Sequence, residues 1–247
     1  MHRVPGHTTS NRAAAGCASR TDRPPAACAA VLLVTAVLAG ASPVPAASLT
    51  GTLALTEAGR PVASAASAVL WYVPAAGAPS TAPRRAEIQT HERRFIPRVT
   101  VVPQGSEVWF PNGDPILHNV FSVSRGNRFD LGLYRQGQGK AARLGSPGLV
   151  RVYCNVHQSM VAYVVVCDTP YYTQPDAGGI FTLEGLPPGP GTLHLWHEQA
   201  GPWSREVTLP LGDPLEIRLE AQPLRPALHL DKRGRPYPEG GRGDEYR

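Results

Sequence analysis

Short stretches of alternating apolar and polar residues, closed by Gly, Pro, Asp or Asn, recur along most of this chain, as expected for half-buried strands joined by tight turns. Leu49-Thr50-Gly51-Thr52-Leu53-Ala54-Leu55 alternates strictly, Gly59-Arg60-Pro61 breaks it, and Ala68 to Val73 predicts a second strand before the loop Pro74 to Pro83. From Phe95 the pattern tightens. Strands are predicted at Val99–Val102, Glu107–Phe110, His118–Val123, Phe129–Tyr134, Leu149–Cys154 and Val161–Cys167, with turns at Pro103-Gln104-Gly105 and Pro111 to Pro115. The last two should form a hairpin around a six-residue loop. Beyond Thr169 come further strands at Ile180–Leu183, Thr192–His197, Glu206–Leu209 and Leu215–Leu219, with turns at Asp176–Gly179 and Pro187–Gly191. The fold class is therefore all-β, built of sandwiches.

Two strands before residue 83 and four after residue 169 are each too few to enclose a core, whereas together they make one small sandwich. The predicted organisation is thus one sandwich, residues 48–82 and 169–223, with a second, residues 83–168, inserted into it. Composition agrees: 26 Pro and 25 Gly among 247 residues argue against a helical bundle, and 42% hydrophobic against 17% charged residues argue for a folded core. The longest apolar run, Ala26 to Ala41, is too short for a confident membrane span. It follows Arg3, Arg12, Arg20 and Arg23 and leads into Val44-Pro45-Ala46-Ala47, so residues 1–47 read as a cleaved secretory signal, with an uncleaved N-terminal anchor as the alternative. The mature chain is expected in the periplasm or outside the cell, without a membrane span.

Removing that segment takes away four Arg and one Asp and leaves 20 basic and 18 acidic residues. Residues 224–247, rich in Pro, Gly and charge, read as a disordered tail; without them 14 residues of each sign remain. No basic stripe points to nucleic acid.

The chemistry lies in the predicted hairpin loop. Cys154-Asn155-Val156-His157-Gln158-Ser159-Met160 reads C-x2-H-x2-M, and His118 stands at an earlier strand end. One thiolate, two imidazoles and a weak thioether suit copper cycling between Cu(II) and Cu(I). Two rival readings fare worse. A Cys154–Cys167 disulfide would have to bridge roughly 20 Å along the hairpin, at about 3.4 Å per residue, against a limit of ~7 Å between bridged Cα atoms. Zinc is a poor partner for a thioether and normally takes four Cys or His groups in structural sites. His194 and His197 fall on opposite faces of one strand and cannot chelate together; His91 reads as a loop residue. No nucleophile triad, haem signature, phosphate loop or paired acid motif stands out, so no enzyme activity is expected.

At these residues the sequence resembles the cupredoxins, the blue-copper electron carriers. The resemblance runs from about Phe95 to Val166 through Phe95-x-Pro97, Gly105-x-x-Val108-x-Phe110-x-Asn112-x-Asp114, His118-Asn119-Val120 and the C-x2-H-x2-M loop, whose short last step is amicyanin-like; plastocyanin has a longer one. It implies a Greek-key sandwich holding one type 1 copper, with His118, Cys154 and His157 as equatorial ligands and Met160 axial. Asn119 would pin the ligand loop to its neighbour, and His157 would face outward as the electron's exit. The flanks resemble the small transthyretin-like or carboxypeptidase regulatory-like sandwich at Asp176–Phe181 and Leu186–Leu193. The whole order is similar to bacterial periplasmic proteins labelled methylamine-utilisation or plastocyanin-like. The function implied is one-electron transfer between periplasmic redox proteins such as a c-type cytochrome or a dehydrogenase. The rival from another class is an envelope binding or structural module with an accessory copper site.

Overall fold

The computed structural model describes residues 46–61, 64–223 and 229–237. The predicted signal, apart from its last two residues, lies outside them, as does most of the predicted tail. Strands β1 (Ala47–Glu57), β2 (Arg60–Pro61) and β3 (Val69–Pro74) come first, with a 3-10 turn at Ala65–Ser67. Next are β4 (Arg85–Glu87), β5 (Gln89–His91), β6 (Arg94–Ile96), β7 (Val99–Pro103), β8 (Glu107–Pro111) and β9 (His118–Ser122). Then follow β10 (Phe129–Tyr134), β11 (Gly139–Arg143), β12 (Gly148–Tyr153), β13 (Val161–Cys167) and β14 (Tyr172–Thr173). The last four are β15 (Ile180–Leu186), β16 (Gly189–His197), β17 (Gly201–Leu209) and β18 (Leu215–Glu220). The protein is all-β.

Strands from the two ends of the chain share two sheets, ordered β15-β1-β18 with β2 beside β1, and β14-β3-β16-β17. Their facing sides enclose Leu49, Leu53, Leu55, Leu70, Tyr72, Phe181, Leu193, Leu195 and Ile217. In β1 burial alternates residue by residue, so the period-two pattern of Leu49 to Leu55 is its inward face. Residues 85–167 build other sheets, β10-β9-β12-β13-β7 and β11-β8-β4, with the β5-β6 ribbon beside them. Between these lie Ile88, Phe95, Val102, Val108, Phe110, Val120, Val152, Ala162, Val164 and Val166. The chain leaves the first pair of sheets after β3 and returns in β14, its antiparallel neighbour, with Tyr172 opposite Trp71. Thr169 Oγ1 donates to the Tyr72 carbonyl at that return, 2.9 Å away.

β13 is buried at every position, which explains why Val161 to Cys167 contains no charged residue. Its Ala162, Val164 and Val166 face the second core, whereas Val161, Tyr163, Val165 and Cys167 form a third cluster with Val99, Val101, Val69 and Trp196. This third cluster joins the sheet of β13 to the sheet of β3 and β16. At its edge the Arg98 guanidinium forks onto both Glu198 carboxylate oxygens at 2.6 Å, and the Tyr163 hydroxyl donates to Glu198 at 3.0 Å. The predicted turn at Pro103-Gln104-Gly105 is present, and Gly105 adopts a φ of 83°, which a side chain would strain.

Candidate metal centre

His118 opens β9, Cys154 directly follows β12, and His157 lies in the loop between β12 and β13. Because β12 and β13 pair from Gly148–Val166 to Tyr153–Val161, the loop emerges at one end of the sheet. It is closed on itself: the Met160 N–H donates to the His157 carbonyl at 3.1 Å and the Cys154 N–H to the Met160 carbonyl at 3.3 Å. Antiparallel pairing of Tyr153 with Phe121 sets β9 alongside, which brings His118 to the same end.

The ligand atoms of His118, Cys154 and His157 all lie within 4.8 Å of one another. Cys154 Sγ is 3.8 Å from His118 Nδ1 and 3.6 Å from His157 Nδ1. Donors bonded to a common ion at about 2.0–2.1 Å (N) and 2.3 Å (S), at tetrahedral to trigonal angles, are separated by roughly 3.5–3.8 Å. The three side chains are thus spaced as ligands of one ion, and the donor set of one thiolate and two imidazoles suits copper. His118 and Cys154 are fully buried and Met160 is 1% exposed, in the core at the far end of the loop.

The surroundings prepare each donor. His118 Nε2 is 2.8 Å from Asp114 Oδ2, so the ring proton sits on Nε2 and the Nδ1 lone pair faces Cys154. The Asp114 carboxylate also accepts the N–H groups of Glu92 at 2.6 Å and Arg93 at 3.0 Å. Burial works to raise its pKa, but the Arg93 N–H, the His118 ring and the Glu92 N–H together hold it below the ordinary carboxylate value. Asn112 knits this turn. Its Nδ2 donates to the Ile116 and Tyr134 carbonyls, and its Oδ1 accepts the Asp114 N–H and the Thr90 hydroxyl. Desolvation lowers the His118 pKa and, with the neighbouring His118 and Arg93, brings His157 down to about 4, so both rings are neutral at neutral pH. Burial pushes the Cys154 thiol up, opposed by N–H donors from Asn119, Val156 and His157 that would stabilise a thiolate. The Val156 N–H lies 3.4 Å from the sulfur.

Asn119 reaches the ligand loop through its backbone N–H, while its side-chain amide donates to Asp130 Oδ1 on β10 at 2.7 Å. Cys154 and Cys167 are both free. His194 stacks on Trp71, and His197 Nε2 lies 2.8 Å from Ser67 Oγ, so neither approaches the other. His91 is exposed on β5.

Two sequence expectations need correction. Residues 229–237 are not a free tail: the Tyr237 hydroxyl donates to the Cys154 carbonyl at 2.9 Å, and the Lys232 N–H donates to Asn155 Oδ1 at 2.9 Å. His157 does not face outward. It is 8% exposed, and its Nε2 is buried with no hydrogen-bond partner among the described residues. Composition could not reveal the first, because the contacts are specific polar ties to a folded loop. Asp114 lies inside the cupredoxin-like motif, four residues before His118, but nothing in the motif marks it as the partner of the His118 ring.

No family model and no curated protein matches the chain. Solved structures to which part of it is similar include a purple cupredoxin from Nitrosopumilus maritimus, at 22% identity, a TM-score of 0.30, and coverage of 33% of this chain and 99% of that one. Amicyanin from Paracoccus versutus is similar at 22% identity and a TM-score of 0.30, over 39% of this chain and 91% of that one. A mutant amicyanin in its reduced Cu(I) form at pH 4 has 19% identity and a TM-score of 0.31, over 39% and 91%. Among the described residues no helix is long and apolar enough to cross a membrane. The molecule is an all-β protein with a buried His118–Cys154–His157 cluster, similar over a third or more of its length to cupredoxins.

Proposed function

We propose that the protein is an exported carrier of single electrons, holding one copper through His118, Cys154 and His157 with Met160 as a weak fourth donor. The observation that carries this reading is the spacing of Cys154 Sγ and the two imidazole Nδ1 atoms, 3.6 and 3.8 Å. A copper ion in this donor set supplies a Cu(II)/Cu(I) couple, which thiolate and imidazole together support in both oxidation states. The chain's own residues keep the donors fixed. Asp114 holds the His118 proton on Nε2 and so orients the ring. The backbone N–H groups around Cys154 hold the sulfur, and the internal hydrogen bonds of the loop hold His157 and Met160 to it. Donors locked by a packed core move little when the charge of the site changes, which keeps the cost of reorganisation low. Burial of all four side chains excludes water from the site.

The partners on this reading are periplasmic redox proteins, a c-type cytochrome or a dehydrogenase among them, and the protein itself is not an enzyme. A redox titration of the copper-loaded full chain tests the function. The expected result is one reversible one-electron wave, together with electron exchange with a soluble c-type cytochrome. Absence of a reversible couple, combined with metal-independent binding to envelope polymer, would favour the structural-module alternative.

A further inference from the structure

The C-terminal residues 229–237 lie along the candidate metal loop. Their ties reach three of the four residues from Cys154 to His157. Tyr237 binds the Cys154 carbonyl and Lys232 binds the Asn155 side chain. The His229 ring lies by the His157 carbonyl. An aromatic cluster anchors the segment. His229 stacks on Tyr153 with ring centroids 4.3 Å apart and meets the Phe121 and Tyr237 rings edge-on at 6.0 and 5.4 Å. An ion pair pins its turn: Lys232 Nζ is 2.6 Å from Asp130 Oδ2, the same carboxylate that accepts the Asn119 amide. Asp231 shapes that turn by accepting the N–H groups of Arg233 and Arg235 at 2.8 Å.

We infer that residues 229–237 are a strap that closes over the metal loop, so that metal uptake, metal release and a partner's approach to His157 require the strap to lift. Two features set it near balance between closed and lifted. Its ties are few and partly exposed, which makes local opening far cheaper than global unfolding. Closing it also leaves His157 Nε2 buried with no hydrogen-bond partner among the described residues, a cost that opening relieves. The strap changes what a partner would meet. In place of an outward-facing imidazole, the loop carries a turn with Lys232, Arg233 and Arg235.

The inference rests on the proposed metal site only for its meaning, so its test starts without metal. In the metal-free full chain, Cys154 is to be alkylated with N-ethylmaleimide and its rate read by peptide mass spectrometry beside that of Cys167. Cys167 is buried too, at the far end of β13, and serves as the internal control. Removing the His229 ring and the Tyr237 hydroxyl together, His229→Ala with Tyr237→Phe, should raise the Cys154 rate roughly tenfold or more, from the loss of one stacked ring and one hydrogen bond. Cys167 should not change. A Cys154 rate that stays constant, or that rises only in step with Cys167, would overturn the strap. Should the double variant not fold, the exposed change Lys232→Ala carries the test, with about a twofold or greater rise expected at Cys154 alone. A second arm follows Cu(I) transfer to a chelator, expected to speed up in the same variants. Faster alkylation without copper binding would sink the copper reading and keep the strap. Copper binding with unchanged alkylation would do the reverse.

Discussion

Asp114→Ala is the substitution that separates a prepared metal site from three donors that merely lie close. Its carboxylate, 7% exposed, is the shared acceptor for the His118 Nε2–H, the Glu92 N–H and the Arg93 N–H. Each hydrogen bond to a charged acceptor contributes about 1.5–3 kcal/mol. The three share one acceptor and the turn relaxes in part, so the expected loss of stability is about 3–5 kcal/mol and not the full sum. The imidazole also loses the partner that keeps its proton on Nε2, which should weaken metal affinity roughly 10–100-fold. Asp114→Asn keeps one oxygen for the ring but turns an amide toward a backbone donor, and should fall between. Competitive Cu(I) titration against a chelator measures affinity, while denaturant unfolding of the metal-free protein measures stability. Copper affinity within about threefold of the parent in Asp114→Ala, in protein that is still folded, would refute the reasoning.

Glu198→Gln should cost about 1–2 kcal/mol in chemical unfolding, because Glu198 receives both Arg98 and the Tyr163 hydroxyl where the two groups of sheets meet, with Arg98 itself half-exposed. Burial works to raise the Glu198 pKa, but Arg98 and Tyr163 outweigh it and hold it below 4.5. The stabilisation is therefore fully present above about pH 4.5 and lost as pH falls through the lowered value, so parent and Glu198→Gln should converge in acid; a gap that widens there would contradict this. Tyr134→Phe should leave stability unchanged or raise it by up to about 1 kcal/mol, since the buried hydroxyl has no partner among the described residues; a thermal melt showing a clear loss would reveal a bond to it. Replacing residues 83–168 with a short Gly linker should leave a cooperatively folding sandwich, because every pairing of β1–β3 and β14–β18 is within that set. Val69 and Trp196 would then be uncovered, and a non-cooperative melt would count against an inserted domain.

The parts of this molecule that were legible in sequence are those whose signal is local. β1 shows its period of two because one face meets Leu-rich core and the other meets water. β13 shows an unbroken apolar run because both its faces are covered. His118, Cys154 and His157 stand out because donor types at loop spacing carry their own chemistry. Less was visible where structure depends on partners far away in sequence. β11 reads Gly-Lys-Ala-Ala-Arg, with no apolar alternation, and is a strand because it lines the edge of β8. β4, Arg85-Ala86-Glu87, is held by parallel pairing to the same strand, aided by Arg85 over the Trp109 ring. Asp114 acquires its role only once the turn folds back on His118. The strap has a composition that suggests disorder, and its order comes from polar and aromatic ties to residues far earlier in the chain, the Asn155 and Cys154 ties spanning 77 and 83 positions.

The claim most in need of a direct measurement is that Cys154 binds copper as a thiolate. The visible absorption and electron paramagnetic resonance spectra of the copper-loaded full chain, recorded beside Cys154→Ser, address it. The account predicts one copper per chain and an intense sulfur-to-copper charge-transfer band that disappears in the Ser variant, since a hydroxyl cannot supply that transition. A chain that takes up copper yet shows no such band, or a Ser variant that keeps it, would contradict the central assignment.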